Sequence, residues 1–140
     1  MRAASDPKIE ALARIPLFSH CSPRELAFIA SRADELDLPA GRTLIREGEP
    51  ADSFYLLLDG EARVDVDGSP RPELGPGDFF GEISMLERGP ATATVVTGSP
   101  VRAMVMSHVQ FRDAIKQDDA LLGGVMSAMA ERLRRDEAAL

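Results

Sequence analysis

The sequence predicts a mainly β domain, a small barrel or sandwich of short strands, with α-helices before and after it. Short apolar or alternating segments recur between glycines in the middle of the chain, at residues 36–38, 43–45, 54–58, 62–66 and 101–105. Strong helix-start signals flank this region at Ser22 and Ser107. With 140 residues, 44% of them hydrophobic, the chain has the length of one domain and can bury its own core.

Two helices are predicted before the strands. Asp6 followed by Pro7 is typical of a capping residue with proline at the first helical position, and this helix is expected to reach about Arg14. Ser22, followed by proline and with Glu25 three residues later, predicts the start of the second helix through a capping box. Each helix has one apolar side, formed by Ile9, Leu12 and Ala13 in the first and by Leu26, Ile29 and Ala30 in the second.

One tight hairpin is predicted within the strand region. Asp67-Gly68 follows a segment that alternates apolar and polar residues, and this pair favours a two-residue turn between antiparallel strands. The next segment contains Pro70 and Pro72, which lack the backbone N–H group that a central strand needs. The second arm of the hairpin is therefore expected at a sheet edge.

Two helices are predicted after the strands. Ser107 is expected to cap the first, with Gln110 in the capping-box position and with inward-facing Val109, Phe111 and Ile115. The second is expected to run from about Asp118 to the end, with one apolar face formed by Leu122, Met126, Met129 and Leu133. The pair Gly123-Gly124 lies inside it and predicts a hinge, because each glycine weakens a helix by about 1 kcal/mol relative to alanine.

The segment from Gly77 to Val95 has the pattern of a loop, a short helix and a strand. A short helical run is expected over 82–86, directly after Gly81, and Gly89-Pro90 ends it. Residues 91–97 then alternate in the period of a strand. A helix that opens at a glycine presents free backbone N–H groups and the positive end of its dipole, and both favour a phosphate.

The run Phe80-Gly81-Glu82-Ile83-Ser84, followed by Pro90 and the Thr/Ala strand, resembles the phosphate-binding cassette of the cyclic nucleotide-binding domain family. Gly41, Gly48 and Gly60, with Tyr55 among them, resemble the β-roll of the same family, so the resemblance covers about residues 15–120. It implies one domain over 1–140: an antiparallel, jelly-roll-like β-roll over about 34–106, N-terminal helices, and C-terminal lid helices over about 107–140 that move when ligand binds.

The resemblance also implies the ligand, cyclic AMP or cyclic GMP. In the family, the glutamate at the position of Glu82 holds the ribose 2′-hydroxyl, and backbone N–H groups of the short helix hold the cyclic phosphate. An arginine after the position of Pro90 pairs with that phosphate, but Ala91 stands there in this sequence. Because a hydrogen bond to a charged group contributes about 1.5–3 kcal/mol, we expect weak nucleotide binding. The expected ligand-binding residues are Phe80, Gly81, Glu82, Ile83, Ser84, Arg88, Ala91 and Thr92.

Three of these residues also have a plain structural interpretation. Glu82 suits a helix N-terminus as an ordinary first-turn acid, although the surrounding motif favours the ligand role. Arg88 is either a replacement for the missing phosphate partner or a solvated surface arginine. The family can carry a guanine-contacting threonine at the position of Thr92, but strand propensity explains this threonine equally simply, and we favour that explanation.

Composition and the remaining reactive residues argue against other classes of protein. The net charge of −7 argues against contact with nucleic acid or anionic membranes, and no apolar run is long enough to span a bilayer. Cys21 is the only cysteine, which permits a reducing compartment, and we expect a cytoplasmic protein without cofactor. His20 and His108 lack the acidic or cysteine pattern of a metal site, and Cys21 lacks a histidine–acid pair, so neither a metal nor a nucleophile is expected.

The leading hypothesis is a non-catalytic sensor that converts binding of a cyclic nucleotide or related small ligand into movement of its C-terminal helix. The alternative is a degenerate domain that no longer binds nucleotide and serves as a protein-interaction or dimerisation module, which Ala91 favours. Met126 and Met129 would then pack either on the roll or on a partner, a second copy or an effector protein. A metal-dependent barrel enzyme is disfavoured, because the histidines do not lie on the predicted strands.

Overall fold

In the computed structural model, which describes residues 7–82 and 89–134, two antiparallel sheets lie between helices from the two ends of the chain. The described helices are α1 (Pro7–Ala13), α2 (Pro23–Arg32), α3 (His108–Gln117) and α4 (Asp119–Arg134), with a 3-10 turn at Pro16–Phe18. The described strands are β1 (Asp34–Leu38), β2 (Thr43–Ile45), β3 (Ser53–Asp59), β4 (Ala62–Val66), β5 (Ser69–Leu74), β6 (Phe79–Phe80), β7 (Thr94–Thr97) and β8 (Val101–Ser107). This is the predicted β-roll with flanking helices.

The strands form two four-stranded sheets, in the orders β1-β8-β3-β6 and β2-β7-β4-β5. The hairpin between β4 and β5 turns at Asp67 and Gly68, whose φ angles of 52° and 79° are those of a two-residue turn with positive φ at both positions. Strand β5, which carries Pro70 and Pro72, lies at the edge of its sheet, as predicted.

Two hydrophobic cores meet at β3 and β6. Neighbouring residues of a strand point to opposite faces, so Leu56 and Phe79 enter one core while Leu57 and Phe80 enter the other. The helical core, between sheet and helices, contains Leu12, Ile15, Leu17, Phe18, Leu26, Ile29, Phe54, Leu56, Phe79, Met104, Met106, Phe111, Ala114, Leu121 and Val125. The roll core, inside the β-roll, contains Ile45, Leu57, Ala62, Val64, Leu74, Phe80, Ala91, Ala93, Val95, Val101 and Ala103.

Both predicted capping boxes are present. The Glu25 N–H donates to Ser22 Oγ at 3.1 Å, and the Ser22 N–H donates to Glu25 Oε1 at 2.7 Å. Ser107 and Gln110 repeat the arrangement at the start of α3, with distances of 3.2 and 2.8 Å. These local hydrogen bonds fix where α2 and α3 begin. The predicted cap of α1, Asp6, lies outside the described residues.

The inward faces of the last two helices differ from those predicted. In α3 the prediction is confirmed for Phe111, which is buried, and for Ile115, which packs against the helical core, but Val109 is 65% exposed and Ala114 is buried instead. Residues two apart on a helix point about 200° away from each other, so Val109 and Phe111 cannot share a face. In α4, Leu121 and Val125 are buried and Met126 is 60% exposed, whereas Met129 of the predicted face is partly buried against the helical core. The side chain of Leu133 lies outside the described part of α4.

The strand predicted over residues 91–97 begins only at Thr94. The backbone of Ala91 pairs with a turn instead, since its N–H donates to the Glu49 carbonyl at 2.9 Å and its carbonyl accepts from the Gly48 N–H at 3.0 Å. The next ladder position is filled by a side chain, because the Glu47 N–H donates to Thr94 Oγ1 at 3.0 Å. This side-chain bond interrupts the β2–β7 ladder and explains the shorter strand.

None of the helices within residues 7–82 and 89–134 is long and apolar enough to cross a lipid bilayer.

Candidate functional site

The candidate site begins where β6 ends. Phe79 and Phe80 bring the chain to Gly81, whose φ of 93° lies in the region that favours glycine. A Cβ atom at residue 81 would collide with the carbonyl oxygen of Ser53, at the start of β3. Only glycine therefore allows the chain to pass this close to β3 and turn into the cassette.

Glu82, the next residue, is helical and fully buried. A carboxylate is rarely buried completely in a protein unless other groups compensate its charge. Fully buried acids are for this reason concentrated at sites of function or in internal ion pairs. The ligand role of Glu82 and its alternative, an ordinary first-turn acid, both stay predictions.

Ala91 lies on the roll side of the cassette. Its side chain is 7% exposed and belongs to the roll core together with Phe80. The neighbouring Pro90 forms an isolated bridge with Pro50, and the Ala91 backbone is held by the turn at residues 48–49. The side chain at this position therefore packs in the roll core, and its contact with a ligand stays a prediction.

Of the other predicted site residues, one is exposed to solvent and three lie outside the described part of the chain. Thr92 is exposed and precedes β7, so strand propensity alone does not explain it. Ile83, Ser84 and Arg88 lie outside the described residues, as does the predicted helix beyond Glu82. Of the predicted set, the structure brings Phe80 and Ala91 together in one core, with Gly81 and Glu82 directly after Phe80.

The sequence analysis did not single out Arg46. This residue lies beside the turn at residues 48–49, whose backbone forms hydrogen bonds with Ala91. Arg46 follows β2, and its Nε lies 3.6 Å from Glu49 Oε2 in an exposed ion pair. The same turn contributes the backbone groups that hold Ala91, and Arg46 lines a polar cavity of about 360 Å³ with Asp52 and Ser53. No local pattern reveals this placement, because the turn at residues 48–49 meets Ala91 only through the pairing of distant segments.

Aromatic contacts connect the start of the cassette with both cores. Phe80 stacks on Tyr55, with ring centroids 4.9 Å apart and planes 10° from parallel. On the other side of the sheet, Phe54 lies between Phe79 and Phe111, at centroid distances of 5.6 and 4.7 Å. The stack Phe79–Phe54–Phe111 thus joins β6, which leads into the cassette, with α3.

A second polar cluster joins α2 to the junction of α3 and α4. Asp118, 2% exposed, caps α4, and its Oδ1 accepts from the N–H groups of Ala120 and Leu121 at 3.0 and 3.2 Å. Cys21 Sγ lies 3.9 Å from Asp118 Oδ2. The sequence signals the cap, an aspartate before a helix, but not its contact with α2, which depends on helix packing.

The electrostatics of this cluster follow from burial and from the neighbouring acids. Burial first, then the charges of Asp118 and Glu25, raises the pKa of the Cys21 thiol to about 11. Burial likewise raises the pKa of Asp118, against the hydrogen bond from Leu121, whereas the hydrogen bond from the Ser22 backbone lowers the pKa of Glu25.

Cys21, Glu25 and Asp118 could in principle hold a metal ion, because their sulfur and carboxylate oxygen atoms lie within 4.8 Å of one another. Within the described residues, no other group of cysteine, histidine and acidic side chains has this property. Neither His20 nor His108 belongs to this group. Its hydrogen bonds, which cap α4 and hold the thiol, account for the arrangement structurally.

Comparison with known proteins gives one consistent family. Residues 35–118 match the profile described as "Cyclic nucleotide-binding domain". The chain is 31% identical over 134 residues to a CRP-like cAMP-activated global transcriptional regulator of Mycobacterium tuberculosis, an alignment that covers 90% of this chain and 58% of the regulator. It is 41% identical over 121 residues to a cAMP-dependent protein kinase regulatory subunit of Aspergillus fumigatus, covering 84% of this chain and 27% of the subunit.

A solved structure agrees with these relatives. The catabolite activator protein of Thermus thermophilus superposes with a TM-score of 0.77 at 25% identity, covering 86% of this chain and 59% of that one. The chain therefore spans between about a quarter and three fifths of the length of the relatives described above.

Proposed function

Because this chain belongs to the cyclic nucleotide-binding domain family, we propose that it is a non-catalytic regulatory domain that binds cyclic AMP or cyclic GMP weakly and converts binding into movement of its C-terminal helices. The observation that carries the proposal is the buried carboxylate of Glu82, which directly follows the positive-φ Gly81 at the end of β6. This placement suits a side chain that holds the sugar of a nucleotide, with the cyclic phosphate on the following backbone N–H groups.

The weakness of binding follows from Ala91. A methyl group stands where a guanidinium would face the phosphate, and Glu82 adds a negative charge to the same site. Losing a charge-assisted hydrogen bond of about 1.5–3 kcal/mol lowers affinity about tenfold to a hundredfold. Arg88, three residues before Ala91 in the sequence, and Arg46, beside the turn that bonds the Ala91 backbone, are the candidates to compensate in part.

Movement of the helices is supported by the aromatic stack. Phe79 lies two residues before Gly81, and Phe54 connects it to Phe111 of α3 through contacts of 5.6 and 4.7 Å. Packed cores transmit displacement because they hold few voids. A ligand that pulls on residues 81–82 would therefore shift β6 against α3, and α4 follows α3 after a single intervening residue.

Isothermal titration calorimetry with cyclic AMP and cyclic GMP tests the proposal, with 5′-AMP as the acyclic control. We expect saturable binding of at least one cyclic nucleotide, no comparable binding of 5′-AMP, and loss of binding in Glu82→Gln, which keeps the shape of the side chain. Asp78→Asn, an exposed residue on the loop before β6, is the matched control and should bind as the native chain does. Binding that is unchanged in Glu82→Gln would contradict the role of Glu82.

The second candidate function is an interaction module without nucleotide, and the buried methyl group of Ala91 favours it. Its partner would be an effector protein or a second copy that packs on α4, where Met126 is 60% exposed. Sedimentation equilibrium of the native chain and of Met126→Glu tests the second copy: a dimer mass that Met126→Glu reduces to that of one chain supports it. A single-chain mass at high micromolar concentration removes it. Under either function the expected compartment is the cytoplasm.

A further inference from the structure

A mainly apolar groove lies between the N-terminal helical segment and the sheet that contains β1, β3 and β8. It has a volume of about 560 Å³ and runs between α1 with the 3-10 turn on one side and β1, β3 and β8 on the other. Its apolar lining comes mainly from Leu12, Ile15, Pro16, Leu57, Leu58 and Pro76. Cavities that hold small molecules have volumes of about 300–1,000 Å³ and are lined chiefly by such side chains. Gly81, Glu82 and Ala91 do not line this groove.

Three charged side chains line the groove, and only one of them has an uncompensated charge. Arg102 is held by Glu35 and Asp37, with nitrogen–oxygen distances of 2.8 and 3.4 Å. Glu35 and Asp37 share this one guanidinium, and of the two carboxylates only Glu35 lines the groove. Arg14, exposed directly after α1, has no ion pair or side-chain hydrogen bond within the described parts of the chain. The groove thus combines an apolar floor with one available guanidinium.

We propose that this groove binds an amphipathic carboxylate, a medium-chain fatty acid, with its tail on the apolar lining and its carboxylate on Arg14. The guanidinium presents paired N–H donors that match the two oxygens of a carboxylate. An uncompensated positive charge repels cationic ligands, and the apolar floor gives no partner to a polar one. The proposal stands on this groove alone and does not depend on nucleotide binding.

The tail would lie against the segment that leads into the cassette. Leu57 lines the groove, and its N–H donates to the Asp78 carbonyl at 2.9 Å while its carbonyl accepts from the Gly77 N–H at 2.8 Å. Pro76 and Gly77 also line the groove. The loop at residues 75–78 therefore has one side toward the groove and continues directly into β6.

The test is calorimetric titration with octanoate and decanoate below their micellar concentrations, with decanol and decyltrimethylammonium as probes of the same tail. We expect one binding site and an affinity that rises about threefold to fourfold for each added methylene, because each buried methylene contributes about 0.8 kcal/mol. Decyltrimethylammonium should bind more weakly than decanoate. Arg14→Gln should weaken the binding of decanoate about fivefold, because an exposed ion pair contributes about 1 kcal/mol. The binding of decanol should not change.

A variant that fills the groove locates the site. Ala11, an exposed residue of α1, lines the groove, so Ala11→Phe should abolish binding of decanoate and decanol alike. Ala27→Phe, at an exposed position of α2 away from the groove, is the matched control and should change neither. Far-ultraviolet circular dichroism confirms that both variants fold. The proposal is overturned if the native chain shows no saturable decanoate binding, if Ala11→Phe binds normally, or if Arg14→Gln binds decanoate as tightly as the native chain.

Discussion

Gly124 of α4 packs directly on the carbonyl of Leu17 in the 3-10 turn, so closely that a Cβ atom at residue 124 would collide with that oxygen. Gly123, its neighbour, faces open space. The helix continues through both residues. The two glycines therefore differ in kind: Gly124 allows the last helix to dock on the N-terminal part of the chain, whereas the predicted hinge at this pair stays a prediction.

The glycine pair gives the first prediction. Gly123→Ala should stabilise the protein by about 0.5–1 kcal/mol, because alanine is the better helix former and its methyl group meets nothing. Gly124→Ala should destabilise it by about 1–3 kcal/mol, because the methyl group forces α4 away from a backbone carbonyl. Urea unfolding of the two variants measures both values. Equal effects of the two substitutions would show that Gly124 is not a packing contact.

Asp118 gives a pH-dependent prediction. Its pKa is raised in the folded state by burial, so folding favours the protonated carboxyl. The stabilisation is fully present below the ordinary pKa of an aspartate and is lost as pH rises through the raised value. Asp118→Asn keeps an oxygen for the helix cap but cannot carry a charge. The stability of this variant relative to the native chain should therefore be higher at pH 7 than at pH 4.

Two further variants separate charge from capping at this position. Asp118→Ala removes the oxygen that accepts from the N–H groups of Ala120 and Leu121, and should cost about 1 kcal/mol at pH 7 relative to Asp118→Asn. Asp119→Asn, which changes an exposed acid next to it, is the control for the loss of one negative charge at the start of α4. Thermal unfolding between pH 4 and pH 7 distinguishes the variants. If the melting temperatures of the native chain and of Asp118→Asn change with pH in parallel, the buried carboxyl does not carry a charge that destabilises the fold at pH 7.

Cys21 gives a prediction about reactivity. Burial, Asp118 and Glu25 raise its pKa to about 11, so nearly all of the thiol is protonated at neutral pH. Iodoacetamide should react slowly at pH 8, and the rate should rise with an apparent pKa near 11. Asp118→Asn removes one of the two negative charges and should lower that pKa and speed the reaction at pH 8. A native thiol that titrates near its ordinary value would contradict the cluster geometry.

Local features of the fold were predictable from the sequence, because their determinants lie within a few residues. The capping boxes at Ser22 and Ser107 and the turn at Asp67-Gly68 each depend on neighbouring side chains or on positive φ. The edge position of β5 followed from its prolines for the same reason.

Features that depend on contacts between distant segments were not predictable in this way. At the start of β7 the Thr94 hydroxyl accepts from the Glu47 N–H, and the backbone of Ala91 bonds with the turn at residues 48–49. The contact of Cys21 with Asp118 joins residues 97 positions apart. The inward face of α4 is decided by the close approach at Gly124, which shifts burial from Met126 to Val125.

The missing arginine gives the last prediction. Ala91 is 7% exposed within the roll core, so Ala91→Arg places a guanidinium in a buried position near the cassette. Without ligand, the buried charge should lower the melting temperature of the protein. With a cyclic nucleotide bound, the guanidinium pairs with the phosphate, and affinity should rise about tenfold or more, or at least about 1.4 kcal/mol.

Calorimetry and thermal shift on matched variants decide whether that charge is what the site lacks. Ala91→Gln has a polar side chain without the charge, and should gain little affinity. Adding Glu82→Ala to Ala91→Arg should reduce the gained affinity, because it removes the proposed ribose contact. If Ala91→Arg binds no better than the native chain, the roll interior cannot accept the nucleotide and the interaction module becomes the better-supported function. If the native chain already binds tightly and Arg88→Ala or Arg46→Gln abolishes that binding, the affected arginine has taken over the phosphate and the sensor function stands.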